Sequence, residues 1–225
     1  MGLTIHYELK LPAWPAGHIK KQVELLRQKC LDLPFEKVFE TKEFKGKACD
    51  YEQYPRESDL RWFLVMASHG QKVPTHVIGF DALVGQGCES LDLAFTKEVG
   101  KSWTASGFCK TQYASNPDCG GVANFLKCHM LVIKVMDIAK ELGFTVEVSD
   151  EGNYWEARDV KKLAEEVGEW NTMIAGLAGA LTDAFGKKGD RVESEITKYP
   201  NYEHLEAVGA GEGASPLVKE LKKIS

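Results

Sequence analysis

Residue types that can do chemistry gather in two stretches of the second half of the chain. The first is Lys110-Thr111-Gln112-Tyr113 with Cys119-Gly120-Gly121, and the second is Asp150-Glu151 with Tyr154-Trp155. Paired glycines ahead of a long apolar run put free backbone N–H groups at a helix start, a place that suits an anion and favours the thiolate of Cys119. Lys110 adds positive charge. Asp150 and Glu151 supply carboxylates for general base work, and Tyr154 and Trp155 can wall the apolar part of a ligand. The catalytic candidates are therefore Cys119, Asp150 and Glu151. The binding candidates for a small anionic ligand are Lys110, Gln112, Gly120, Gly121, Tyr154 and Trp155. Each also has an ordinary structural use as a turn glycine, a packed thiol, a turn carboxylate or a ring stapled against a sheet.

Other motifs are incomplete. The six histidines, His6, His18, His69, His76, His129 and His204, include no pair three or four apart, so zinc has no local signature. Cys109, Cys119, Cys128 and His129 would have to converge in space to bind a metal, and packing roles in a strand and a buried helix are the better account of Cys109, Cys128 and His129. No metal ligand set and no cofactor is assigned. Gly209-x-Gly211-x-x-Ala214 fits the loose dinucleotide pattern but lacks a preceding buried strand and a later acidic residue, so it reads as linker. Walker A, H-E-x-x-H, G-x-S-x-G and EF-hand patterns are absent.

The elements that must position these residues follow from periodicity. Leu3, Ile5, Tyr7 and Leu9 alternate with polar residues as in a half-buried strand, and Ile19, Val23, Leu26 and Cys30 recur at helical spacing until Leu33-Pro34. A strand is expected over 36–44. Three strand candidates, 60–68, 75–84 and 88–96, are separated by His69-Gly70 with Pro74 and by Gly85-Gln86-Gly87, which predicts an antiparallel meander. The opening order then repeats: strand 104–114, a turn, helix 122–142, and a strand in which Phe144, Val146 and Val148 alternate with polar residues. In that arrangement one edge collects the end of the first strand, the start of the helix and the end of the second strand. Trp14, Gly17 and His18 lie at the matching edge of the first unit, where His18 reads as a surface histidine with a neutral acid–base role as the alternative. The longest helical stripe runs from Val160 to Phe185, with Asn153 and Glu156 as a capping box at its start and Gly168, Gly176 and Gly179 for bending or close approach.

The fold class expected is α+β: a mostly antiparallel sheet of about seven strands holding two strand–helix–strand elements, with two fused ferredoxin-like halves as the specific version and helices chiefly on one face. One domain is expected over 1–185, a polar Gly-rich segment over 186–214, and a short helix over 215–225 that begins Ser215-Pro216 and ends in Lys222-Lys223. The chain has 225 residues, 44% hydrophobic and 27% charged, with a formal charge of −5. That composition suits a globular protein and gives no general attraction to nucleic acid or an anionic membrane. The run Val122–Leu142 carries too many charges to span a bilayer, no secretory signal opens the chain, and six cysteines without a C-x-x-C pair read as reduced thiols in a cytoplasm. Two function classes follow, with a metal-binding protein using the cysteines as a weaker third. One is an enzyme or ligand-binding protein acting on an anionic metabolite at the edge formed by residues 110–121 and 149–156. The other is a non-catalytic interaction module, homodimeric or docking a protein partner through its sheet face or C-terminal helix.

Overall fold

The computed structural model describes residues 3–68, 73–97, 102–185, 194–211 and 216–221. The elements are β1 (Thr4–Leu11), α1 (Ala16–Leu31), β2 (Lys37–Val38), β3 (Lys42–Lys45), α2 (Asp59–Ser68), β4 (His76–Leu83), β5 (Leu91–Lys97), β6 (Trp103–Lys110), α3 (Gly121–Glu141), β7 (Thr145–Asp150), α4 (Tyr154–Ala157), α5 (Val160–Phe185), α6 (Tyr202–Gly209) and α7 (Pro216–Leu221). The seven strands form one antiparallel sheet in the order β2-β4-β5-β6-β1-β7, with β3 also on β4. This is the expected α+β architecture. The order is one continuous path, and it does not by itself mark off two ferredoxin-like halves.

Alternation along each strand makes two faces. Ile5, Tyr7 and Leu9 of β1, Leu91, Leu93 and Phe95 of β5, and Trp103 and Ala105 of β6 meet the buried stripes of α1, α3 and α5 in the main core. The opposite face carries a smaller cluster. There Phe63, Leu64 and Ala67 of α2 cover Val77 and Ala94. Beyond α2 that second face is polar and partly open, with Glu8 and Lys10 half-buried on β1 and Phe108 exposed on β6.

Several expectations are corrected. Residues 60–68 are helix α2, because Phe63, Leu64 and Ala67 make a single stripe that docks on the sheet, while Leu60 and Trp62 point to solvent. The strand expected over 36–44 is two short strands on opposite ends of β4, broken at 39–41. The strand expected over 104–114 ends at Lys110, and Gln112–Ser115 is a 3-10 turn. The box of Asn153 and Glu156 does not cap α5: Asn153 makes no capping bond, and the Asp159 carboxylate accepts the amides of Lys161 at 3.0 Å and Lys162 at 3.1 Å. Gly209 is not linker. It ends α6 buried against α5, where a Cβ on Gly176 would stand 2.6 Å from the Gly209 carbonyl carbon. His69-Gly70, the start of the polar segment at 186–193, Glu212–Ser215 and Lys222-Lys223 lie outside the described residues.

β6 and β7 both run antiparallel to β1, so they are parallel to each other and α3 crosses between them. Their ends meet at one edge, with Lys110 opposite Thr4 and Asp150 opposite Ile5.

Candidate functional site

The sequence-derived residues share that edge, but Gln112 and the Asp150 carboxylate turn inward, and of the others Glu151 is exposed and Lys110, Cys119, Tyr154 and Trp155 partly so. Gln112 is 0% exposed: its carbonyl oxygen accepts the Leu3 amide at 3.3 Å and its amide donates to Asn171 at 3.0 Å. Asn171 in turn donates to the Ser115 hydroxyl at 2.8 Å, which donates to the Gln112 backbone carbonyl at 2.6 Å. Glu151 accepts the Thr4 amide at 2.8 Å. The helix start is less open to an anion than its sequence suggests. Gly120 and Gly121 are left-handed, with φ of 103° and 66°, and their amides donate to Pro117 and Asn116 carbonyls at 3.1 and 2.9 Å. Cys119, partly exposed, donates its amide to Asn116 at 2.8 Å. Lys110 lies over the Tyr113 ring and donates to its hydroxyl at 3.3 Å. Tyr154 and Trp155 are faced by the Arg158 guanidinium, and Lys140 lies 4.6 Å from the Trp155 ring centre.

Asp150 sits in a chain of buried polar groups that the sequence reading missed. One carboxylate oxygen is 3.0 Å from His129 Nε2, and the opposite imidazole nitrogen is 2.8 Å from the Thr111 hydroxyl. The Nε2 contact is a close approach rather than an aligned hydrogen bond. The carboxylate is better served by the amides of Gly152 at 2.8 Å and Trp155 at 2.9 Å. Burial would raise the Asp150 carboxyl, but His129 and these amides outweigh it and hold the group below its ordinary value. The order Asp-His-Thr is that of a nucleophile relay. Thr111, the His129 ring and the Asp150 carboxylate are nevertheless all fully buried, so the chain as folded offers no atom to a substrate. It ties the end of β6, the middle of α3 and the end of β7 together. Sequence parity could have found it: Asp150 continues the inward parity of Val146 and Val148, and His129 shares the buried stripe of Phe125, Val132 and Met136.

A second group of titratable residues lies on the other face of the sheet. Asp81 of β4 stands directly opposite Asp92 of β5, both pointing away from the main core. Lys42 of β3 pairs with Asp81, and its ammonium lies 4.7 Å from the Phe63 ring centre and 5.4 Å from that of Phe39. The Ser90 hydroxyl donates to Asp92 at 2.8 Å. Burial, with the nearby charges of Asp81 and Glu89, pushes the Asp92 carboxyl up to about 6, against the opposing pull of Ser90 and Lys42. On the main-core face, Tyr7 lies across Gly107 and donates to the Asp92 backbone carbonyl at 2.9 Å. Gly107 makes the room, since a Cβ there would stand 2.7 Å from the Tyr7 oxygen. The individual signal in the sequence was a carboxylate inside each of two apolar strands, Val77–Val84 and Leu91–Thr96.

A groove of about 820 Å3 runs along α1 and residues 40–41, next in sequence to Lys42, but neither Asp81 nor Asp92 lines it. Its Glu24 is already engaged by Thr41, Gln28 and Arg27. Among the described residues no three His, Cys, Asp or Glu side chains are grouped to hold a metal, and no helix is long and apolar enough to cross a membrane. No known protein family, curated protein or solved structure matches this chain.

Proposed function

We propose that this chain binds a small molecule on the second face of its sheet and exchanges a proton with it through Asp92, which keeps 5% exposure where Thr111 and the His129 and Asp150 side chains keep none. The observation that carries this reading is the pair of opposed carboxylates, Asp81 and Asp92, with Lys42 on only one of them. Two carboxyl groups held in different environments divide the work of acid and base: Asp81 is paired with Lys42, and Asp92, raised to about 6, gains or loses its proton near neutrality. Ser90 fixes the Asp92 carboxyl, and the Phe39 and Phe63 rings flank the Lys42 ammonium. Two acids beside one lysine favour a neutral or cationic ligand. The edge of Lys110, Cys119, Asp150 and Glu151 gives less support to an anionic ligand, because the Asp150 carboxylate and the Gln112 amide are consumed inside the fold.

A fragment screen by protein NMR tests this reading. Expected are hits whose shifts centre on Asp81, Asp92 and Lys42 and weaken at least tenfold in Asp92→Asn. Hits that map elsewhere, or that bind Asp92→Asn like wild type, refute it.

One observation favours a second reading, in which this face docks a second copy of the chain. Trp62 on α2 is 55% exposed and Phe108 on β6 is 39% exposed, both on the side away from the main core. Sedimentation of wild type and Trp62→Ala separates the two: a monomer at high concentration removes the dimer, and a dimer lost in the variant supports it.

A further inference from the structure

Three of the six cysteines lie together where the β4–β5 connection crosses β6 and α3. The Cys88 and Cys109 sulfurs are 3.7 Å apart, and Cys128 of α3 lies close by. The local backbone holds them there. Residues 88–89 run beside 109–110, with the Glu89 amide donating to the Lys110 carbonyl at 3.1 Å and the Lys110 amide donating to the Glu89 carboxylate at 2.8 Å. Cys109 donates to the Glu89 carbonyl at 3.3 Å. Gly85 lets the turn pass close over Cys128, since a Cβ there would stand 2.8 Å from its sulfur. Cys88 alone of the three is partly exposed, while Cys109 and Cys128 are buried. All three are free thiols in the structure.

We propose that Cys88 and Cys109 are a reversible disulfide couple, in which Cys88 meets a small-molecule disulfide from solution and Cys109 resolves the adduct. The Cys88 thiolate attacks one sulfur of an oxidised glutathione-type disulfide, forming a mixed disulfide and expelling one thiolate. The Cys109 thiolate then attacks the Cys88 sulfur and expels the second. Two protein thiols lose two electrons and two protons, and the small disulfide gains them as two thiols. The sulfurs must close from 3.7 Å to about 2.05 Å, which rotation of the Cys88 side chain in a connecting segment supplies without moving a helix. Cys128 is the less suited partner, because it sits on a packed helix and hydrogen-bonds to Asn124 at 3.8 Å. Hydrogen bonding with Cys109 and burial push the Cys88 thiol well up, so exchange is slow at neutral pH and gains roughly tenfold per pH unit. The proposal does not depend on the acid–base reading of Asp92.

The test is native protein in an oxidised and reduced glutathione buffer, followed by non-reducing peptide mapping. Expected is a link between the Cys88 and Cys109 peptides that a dithiol reverses, that is lost in Cys88→Ser and in Cys109→Ser, and that persists in Cys128→Ser. Cys109→Ser should instead retain glutathione on Cys88. A Cys88 to Cys128 link, a stable wild-type adduct without an internal bond, or no modification at all overturns the proposal. Thermal melts of each variant confirm that it is folded before mapping.

Discussion

Replacing Asp92 by Asn should stabilise the protein, and only where the wild-type carboxyl is ionised. Its value is raised from 3.8 to about 6 by burial in the folded state. The folded state therefore disfavours the charged form. Below about pH 4 the group is protonated in both states and costs nothing, the cost grows as pH rises toward 6, and above 6 it is fully present. A shift of that size at 1.36 kcal/mol per unit is about 3 kcal/mol. The amide of Asn keeps a carbonyl for the Ser90 hydroxyl and places a donor toward Asp81, so most of the penalty should be recovered. For a chain of this length that corresponds to a rise in Tm of up to about 10 °C at about pH 8, falling to about 2 °C or less at about pH 4. Thermal melts followed by circular dichroism across that range make the measurement, with carbonyl NMR titration of Asp92 as the direct check. A Tm difference independent of pH, or a variant less stable at high pH, would refute the account of Asp92.

Lys42→Met removes the cation paired with Asp81, whose side chain is only 12% exposed, and should cost about 2–4 kcal/mol in denaturant unfolding. Because Lys42 also lowers Asp92, the Asp92 titration should move upward in this variant, and a downward move would contradict the electrostatics. Gly107→Ala drives a Cβ against the Tyr7 hydroxyl and should cost about 1–3 kcal/mol; a loss within error of zero would mean that Tyr7 is free to move aside. Asp150→Ala strands His129 and the amides of Gly152 and Trp155, for about 3 kcal/mol. Since the folded Asp150 carboxyl is lowered from 3.8, the stability it contributes is present above about pH 4 and is lost on further acidification, so wild type and variant should converge there in urea titrations.

The elements with one clear period were legible in the sequence. β1, α3, β7 and α5 lie close to where alternation or a helical stripe puts them. Helix α2 was not, because Leu60–Ser68 is a short apolar run that satisfies either period, and what selects the helix is the docking of Phe63, Leu64 and Ala67 on Val77 and Ala94. The shared edge of β6, α3 and β7 was readable as topology. Which way its side chains point was not, since that depends on where each strand ends relative to the core: β6 stops at Lys110, and the chain then turns Gln112 and Ser115 inward. The Asp81–Asp92 pairing depends on the register of the β4–β5 hairpin, and a shift of one residue moves a whole strand's side chains to the other face. The connection between those strands, residues 84–90, is longer than the tight Gly85-Gln86-Gly87 turn that the sequence suggests, so that register could not be counted from the turn.

The insertion of Tyr7 gives the sheet an internal seam. β1 is laddered to β6 over eight residue pairs and β4 to β5 over seven, whereas among the described residues β5 and β6 pair only at Thr96 with Thr104 and at Lys97 with Trp103. Two tightly laddered blocks, β2-β3-β4-β5 and β6-β1-β7, are thus joined by a short zipper, a tyrosine hydroxyl and the crossing at Glu89 and Lys110. Sub-global opening follows the boundary where fewest backbone bonds must break. Amide exchange would then protect each block as a unit and report separation along the seam first. Asp92 lies on that seam, so a breathing motion between the blocks would admit water to its carboxyl without unfolding either one.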